Sequence, residues 1–192
     1  KKKNSNLIIW LLGIFIFLTI LNFLSLDFLN IHKNLDHLHE GVVLTPSNNF
    51  FMSSGIWKSS FTEYGFINFD AALIWSLFNI ESIGSAKFIK FFYLLVNKIL
   101  LILIIFKVSS NLNINNFSKI IFFSLVSLFS VFLVDYYDGD ASEIPPRLLV
   151  LLFFFLIFFF IIESKKINFF TIYLFGFTAG ISIFWSLDVG IY

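Results

Sequence analysis

Residues Leu7–Leu26 read LIIWLLGIFIFLTILNFLSL, an apolar run of 20 residues without a charged side chain. A helix rises about 1.5 Å per residue, so this run is about 30 Å long, the thickness of a bilayer's hydrocarbon core. Lys1–Lys3 precede it, as basic residues precede a secretory signal. However, the run exceeds the roughly 7–15 apolar residues of such a signal, and no small-residue cleavage site follows. The segment is therefore predicted to be a membrane anchor.

Four more apolar segments follow, and together they predict an all-α fold. The predicted spans are residues 7–26, 88–106, 117–134, 148–162 and 169–187. Five spans make a polytopic transmembrane helix bundle, and we expect residues 1–192 to form a single transmembrane domain. Because the chain starts with Lys1 and stops at Tyr192 after an apolar stretch, we also expect it to be a piece of a longer protein.

The composition excludes several other classes of protein. The 192 residues are 58% hydrophobic and 13% charged, whereas soluble domains carry about 25% charged residues. Such a hydrophobic chain is neither a soluble domain nor a disordered one. Its net charge of +1 argues against a nucleic-acid partner, which selects a strongly basic surface. The chain has no cysteine, so it forms neither a disulfide nor a thiolate metal site.

Charge is divided unevenly between the two sides of these spans. With the N-terminus inside, the inner segments hold seven lysines and one acid, Glu163, and the outer segments hold the other eleven of the twelve acids. The inner lysines are Lys1, Lys2, Lys3, Lys107, Lys119, Lys165 and Lys166. Cytoplasmic loops carry the excess of Lys and Arg. The pattern predicts an integral membrane protein with a cytoplasmic N-terminus and with residues 27–87 and 135–147 on the periplasmic or extracellular side.

The first outer segment is too long for a simple connection, because loops beyond about 12–15 residues are usually functional. Within it, residues 71–78 are apolar but too short to span a membrane. With Trp75 as an anchor, they are expected to form a short interfacial helix on the outer leaflet. Residues 47–55 are expected to form turns and a second short helix.

The densest group of ionisable side chains, Asp36-His37-Leu38-His39-Glu40, follows the first span. On a helix, Asp36, His39 and Glu40 would share a face, and a carboxylate there is a candidate general base with His39 as its neighbour. His37 with a nearby carboxylate is instead a candidate metal ligand, although no HExxH-type spacing is present. The alternative is a polar loop beside the lipid headgroups.

A second acidic group lies in residues 135–147. Asp138 and Asp140 alternate as they do at the opening of a calcium loop, but the later Glu and central Gly of an EF-hand are absent. They are candidate ligands of a divalent cation, Mg²⁺ or Mn²⁺. Arg147 follows two prolines at the outer end of the fourth span and is placed to bind a lipid phosphate. The alternative is a solvated turn with an interfacial arginine.

Lys98 falls near the middle of the second span, beside Asn97. A lysine at mid-membrane costs about 2.5–3.5 kcal/mol on insertion scales, so it is a candidate functional residue. The alternative is that the helix is shifted and the Lys98 side chain extends to the surface.

The long acidic first outer loop, the short helices in it, and the patterns Asp36-x-x-His39-Glu40-Gly41 and Trp185-Ser186-Leu187-Asp188 resemble the N-terminal half of bacterial GT-C glycosyltransferases. The resemblance covers the whole chain as architecture and implies an inverting enzyme of the bacterial inner membrane that takes sugar from a polyprenyl-phosphate donor. It further implies that a first-loop acid, here Asp36 or Glu40, is the catalytic base.

On this reading Arg147 and Lys98 meet the donor phosphate, and membrane lipids surround the helices. The acceptor, whether glycan, lipid or protein, stays open. Two other functions also stay open. A transporter would need polar residues that face each other across several spans, and a non-catalytic assembly subunit would need none of this chemistry.

Overall fold

The structure is a computed structural model that describes residues 2–26, 44–50, 52, 69–133, 144–163 and 168–185. Every regular element in these ranges is helical, so the all-α prediction is confirmed for the part of the chain that is described. The helices are α1 (Lys2–Leu24), α2 (Asp70–Phe78), α3 (Ile83–Asn111), α4 (Asn116–Leu128), α5 (Ile144–Glu163) and α6 (Phe169–Trp185). A π-helical segment, Phe129–Leu133, continues α4. Residues 44–50 are also helical.

Two of these helices are long and apolar enough to cross a membrane, namely α3 and the segment Leu7–Leu24 of α1. The remaining long helices are apolar, but their apolar stretches are shorter, at 10–17 residues. The two longer helices support association with a membrane, and five crossings stay a prediction. The second predicted span lies inside a helix that extends five residues beyond it at each end, Ile83–Asn111.

Helix α3 is the centre of the bundle and packs against α1, α2, α4 and α5. Half of its apolar stretch is buried, compared with 17% of that in α1. The main buried cluster joins α1, α3 and α4 with its π-helical end through Ile8, Phe15, Ile102, Ile105, Phe123 and Val131. In this cluster the Phe123 ring packs edge-on against Phe15 and Phe106, with centroids 5.7 and 6.1 Å apart. Many large apolar side chains remain exposed on α1, α5 and α6, as expected for surfaces that face lipid.

The helices alternate in direction. Helix α4 is antiparallel to α3, since Phe106 late in α3 meets Phe123 in the middle of α4, and Lys98 in the middle of α3 meets Val131 in the π-helical segment after α4. Helix α5 runs parallel to α3, because Glu163 at its C-terminal end contacts Lys107 in the last turns of α3. This alternation is the arrangement that successive crossings of a membrane require.

Polar side chains set where three helices begin. Ser82 and Asn115 accept hydrogen bonds from the backbone N–H groups of Ser85 and Ser118, at 3.0 and 2.7 Å, at the starts of α3 and α4. Asn168 accepts one from Thr171 N at 2.8 Å before α6. Side-chain caps of this kind satisfy N–H groups that lack a partner within the helix.

Helix α2 confirms the short helix expected over residues 71–78, but its orientation differs from the sequence prediction. Trp75 does not face the membrane interface; it is buried against α3, and its indole Nε1 donates to Ser85 Oγ at 2.9 Å. The exposed apolar side chains of α2 are instead Leu73, Leu77 and Phe78. The reason is packing: Ala71 and Ala86 allow close approach of the helices, and the large indole fills the space beside them.

Candidate functional site

Lys98 occupies the interior of the bundle. It is the sixteenth of the 29 residues of α3, and only 8% of it is exposed. Its ammonium Nζ donates a hydrogen bond to the backbone carbonyl of Val131 at 3.1 Å. The side chain is therefore engaged with a neighbouring helix instead of extending along α3 to the surface.

Lys98 contacts the end of the next helix in the chain, the π-helical segment that continues α4. Val131 lies in the π-helical segment Phe129–Leu133, within the last residues of the helix. The last carbonyls of a helix have no partner inside it, and they carry the negative end of its dipole. A lysine that donates to a carbonyl at this end lies in a favourable field, which offsets part of the cost of burying its charge.

An open cleft between α1 and α3 reaches Lys98. Its volume is about 30 Å³, enough for a small number of water molecules. Polar lining comes from Thr19, Asn22 and Lys98, and the apolar lining comes from Phe23, Leu26, Leu94 and Leu95. The cleft lies toward the C-terminal end of α1, which is the outer end in the predicted topology. Among the described residues, Lys98 is the charged side chain that lines the cleft.

A second buried charge, Asp70, lies where α2 packs on α3. Asp70 is 3% exposed, and its Oδ1 accepts the Ala71 backbone N–H at 2.6 Å. Its Oδ2 is buried and accepts no hydrogen bond from the described residues. Burial raises the pKa of Asp70 to about 6, although the positive charge of Lys90 and the Ala71 N–H act in the opposite direction.

Helix α3 contributes residues both to the cleft at Lys98 and to the surroundings of Asp70. Lys90 and Lys98 are two i, i+4 steps apart and therefore share a face, separated by about 12 Å along the helix axis. Tyr93 lies between them along the chain and is close enough to Asp70 to be influenced by its charge. Its ring also packs edge-on against Trp185 of α6, with centroids 6.1 Å apart.

The opposite end of α3 carries a surface ion pair. Lys107 Nζ lies 2.5 Å from Glu163 Oε2 and 4.1 Å from the centre of the Phe160 ring. Asn111 donates to the other carboxylate oxygen of Glu163 at 2.5 Å. The hydrogen bond from Lys107 is the main reason that the pKa of Glu163 lies below its usual range. This cluster joins α3 to α5 and is exposed, so we assign it a structural role.

Most of the site residues predicted from the sequence lie outside the described residues. These are Asp36, His37, His39, Glu40, Asp138 and Asp140. Arg147 is in the first turn of α5, where a helix start with two prolines was expected, and its side chain is not among those described. Lys98 is the predicted site residue whose surroundings are described.

The divalent-cation site expected at Asp138, Asp140 and His37 stays a prediction. Within the described residues there is no group of three His, Cys, Asp or Glu side chains that could hold a metal ion. The ligands predicted for Mg²⁺ or Mn²⁺, namely Asp138, Asp140 and His37, are not in those ranges.

Sequence reasoning missed Asp70 as a buried group and missed Thr19 and Asn22 beside Lys98. Asp70 was counted only as one of the outer acids. A signal was present, since Asp70 directly precedes the apolar residues 71–75. Asn22 was also visible as a polar residue within the first span, but a single amide does not show which helix it faces.

Comparison with known protein families, curated proteins and solved structures finds no match to this chain.

Proposed function

We propose that this chain belongs to a membrane glycosyltransferase that takes sugar from a polyprenyl-phosphate donor at the outer face of the membrane. The observation that carries the proposal is the cleft between α1 and α3, which has Lys98 at its polar floor and apolar walls. The phosphate of a lipid pairs with a cation and its chain packs on apolar surface, and this cleft of about 30 Å³ must widen to admit them. The alternating helix directions support a multi-spanning arrangement, and the predicted topology puts the open end of this cleft toward the outer side.

The proposed reaction is an inverting displacement. Asp36 or Glu40 accepts the proton of an acceptor hydroxyl, whose oxygen attacks the anomeric carbon of the sugar. The bond from that carbon to the phosphate oxygen breaks, and polyprenyl phosphate leaves with the electron pair. Lys98 and Arg147 would stabilise the charge that develops on this leaving group, which is the kind of electrostatic assistance that accounts for much of enzymatic rate enhancement.

A transporter has less support from the buried polar groups. Three buried hydroxyls, those of Thr19, Ser109 and Ser130, each donate to the carbonyl four residues earlier in their own helix. Hydroxyls satisfied in this way do not need a partner from a transported solute. The buried hydroxyl of Ser127 is the exception among the described residues, since it has no hydrogen-bond partner there. A sugar-transfer assay distinguishes a non-catalytic assembly subunit from an enzyme.

The test is sugar transfer by the full-length protein in lipid nanodiscs, with a polyprenyl-phosphate-linked sugar as donor. Lys98→Met keeps the length of the side chain but removes its charge, and we expect it to lower transfer at least about tenfold, since a charge-assisted hydrogen bond contributes about 1.5–3 kcal/mol. Lys87→Met changes a lysine in the first turns of the same helix and is expected to transfer at the parent rate. If the parent protein transfers no sugar from any polyprenyl-phosphate donor, the proposal is wrong.

A further inference from the structure

We propose that Asp70 is a proton-binding site whose occupancy controls how firmly α2 docks on α3. This inference goes beyond sugar transfer, because it concerns the joint between the first outer segment and the central helix and holds whatever the protein's substrate is.

The docking surface of α2 is small and contains one charge. Asp70, Ala71, Ala72 and Trp75 are the buried residues of this nine-residue helix. Ala71 and Ala72 are apolar, and Trp75 donates a hydrogen bond from its indole Nε1 to Ser85 Oγ of α3. Asp70 is the remaining buried residue. Isolated helices of this length are marginal, so α2 depends on these contacts for its stability. A change of charge at Asp70 therefore acts on a large part of what holds α2 in place.

The surroundings of the carboxyl group favour its neutral form. Its Oδ2 is buried without a hydrogen-bond donor among the described residues. A buried carboxylate oxygen without a donor is costly, and most of that cost comes from the buried charge. Protonation removes the charge that burial penalises.

Among the described residues, the titratable groups that interact with Asp70 are on α3. Lys90 favours the ionised carboxylate, and Tyr93 is the other group that interacts with its charge. Helix α2 has no second titratable side chain, and the helical residues 44–50, which pack nearby through Leu44 and Phe50, have none. Desolvation outweighs the attraction of Lys90, since burial is the largest influence on Asp70.

The direction of the pH effect follows from this balance. In the docked state the pKa of Asp70 is about 6, above its usual value of 3.8. A group whose pKa is raised by folding stabilises the folded state below its ordinary pKa, and that stabilisation is lost as the pH rises through the raised value. Docking of α2 is therefore tightest in acid and loosens as the pH rises from about 4 to above 6, by up to about 100-fold in the docking equilibrium.

Hydrogen exchange tests this in the full chain in lipid nanodiscs, without any substrate. Protection of the backbone amides of residues 74–78, corrected for the chemical pH dependence of exchange, is measured from pH 4 to 7.5. We expect protection in the parent protein to fall between about tenfold and 100-fold across this range. Amides of residues 100–105 in α3, measured in the same samples, should not follow this change.

Two variants complete the test. Asp70→Asn keeps the shape but cannot titrate, and it should hold the low-pH protection at every pH. Glu81→Gln changes an exposed acid three residues after α2 and should follow the parent curve. A flat curve in the parent protein overturns the proposal without any variant, so a failure of Asp70→Asn to fold does not protect it. A parent-like slope in a folded Asp70→Asn variant also overturns it.

Discussion

The ammonium nitrogen of Lys98 lies 3.1 Å from the carbonyl oxygen of Val131, and this hydrogen bond ties the middle of α3 to the π-helical end of α4. A buried lysine in a membrane-spanning helix is costly, by about 2.5–3.5 kcal/mol on insertion scales. One hydrogen bond inside a membrane protein returns only about 0.6–2 kcal/mol. The hydrogen bond to Val131 therefore offsets only part of the cost of placing the lysine there.

This comparison predicts the stability of Lys98→Met. The substitution removes both the burial cost and the hydrogen bond, so the two effects oppose each other. We expect the free energy of unfolding, measured by detergent titration, to change by no more than about 1–2 kcal/mol. A loss above about 3 kcal/mol would show that Lys98 is mainly a structural tie, and the reduced sugar transfer expected for this variant would then need another explanation.

The topology can be tested with introduced cysteines, because the chain has none of its own. A cysteine at Glu81 or Ser142 should react with a membrane-impermeant thiol reagent in intact cells, since both positions are predicted to lie outside. A cysteine at Ser110, which is exposed near the end of α3, should react only after the cells are opened. Lysine excess on the inner side is the physical basis of this expectation. Labelling at Ser110 alone would reverse the orientation.

The helices themselves could be predicted from the sequence because hydropathy and helix length are local properties. Each apolar run became a helix, and Lys98 was recognisable as unusual from its position in one. Lys98's contact with Val131 could not be predicted, since it depends on the register of α3 against α4. That register is set by packing around Phe123, at a distance in sequence that no periodicity encodes.

The contacts of Asp70 and Trp75 in the short helix α2 also could not be predicted from the sequence. Residues 71–78 are apolar on most sides, so the pattern alone did not indicate which side packs on α3. Small residues decide it: Ala71 and Ala86 permit close contact, which buries Trp75 and brings Asp70 into the joint. A sequence shows that small residues are present, but their partner is found only in the folded chain.

Phe122 and Phe123 form a matched pair for testing the core. Phe123 is fully buried between α1 and α3, whereas its neighbour Phe122 is 37% exposed. Phe→Ala in a soluble core costs about 3–5 kcal/mol, but part of that cost is transfer from water, which is small when the surrounding medium is lipid. We expect Phe123→Ala to lower the free energy of unfolding by about 1–3 kcal/mol and Phe122→Ala by less than about 0.5 kcal/mol. Equal effects of the two substitutions would contradict the packing described here.

The base of the proposed reaction is tested by amide substitutions in the first outer segment. A general base contributes about 10²–10⁴-fold to a rate, so Asp36→Asn, which keeps the shape and removes the basic oxygen, should lower sugar transfer at least about 100-fold. Glu40→Gln should have a smaller effect if Asp36 is the base and the larger one if their roles are exchanged.

The assay uses the full-length protein in lipid, with and without a chelator, because loss of activity with the chelator would support the predicted divalent cation. Lys98→Met is the variant to compare with the amide variants. Removal of Lys98 and removal of the base should both lower the rate. Only removal of the base should also abolish the fall in rate that the parent protein shows in acid, when the catalytic carboxylate is protonated. If both amide variants transfer sugar at the parent rate, neither carboxylate is the base, and the assembly-subunit alternative becomes the better account of this chain.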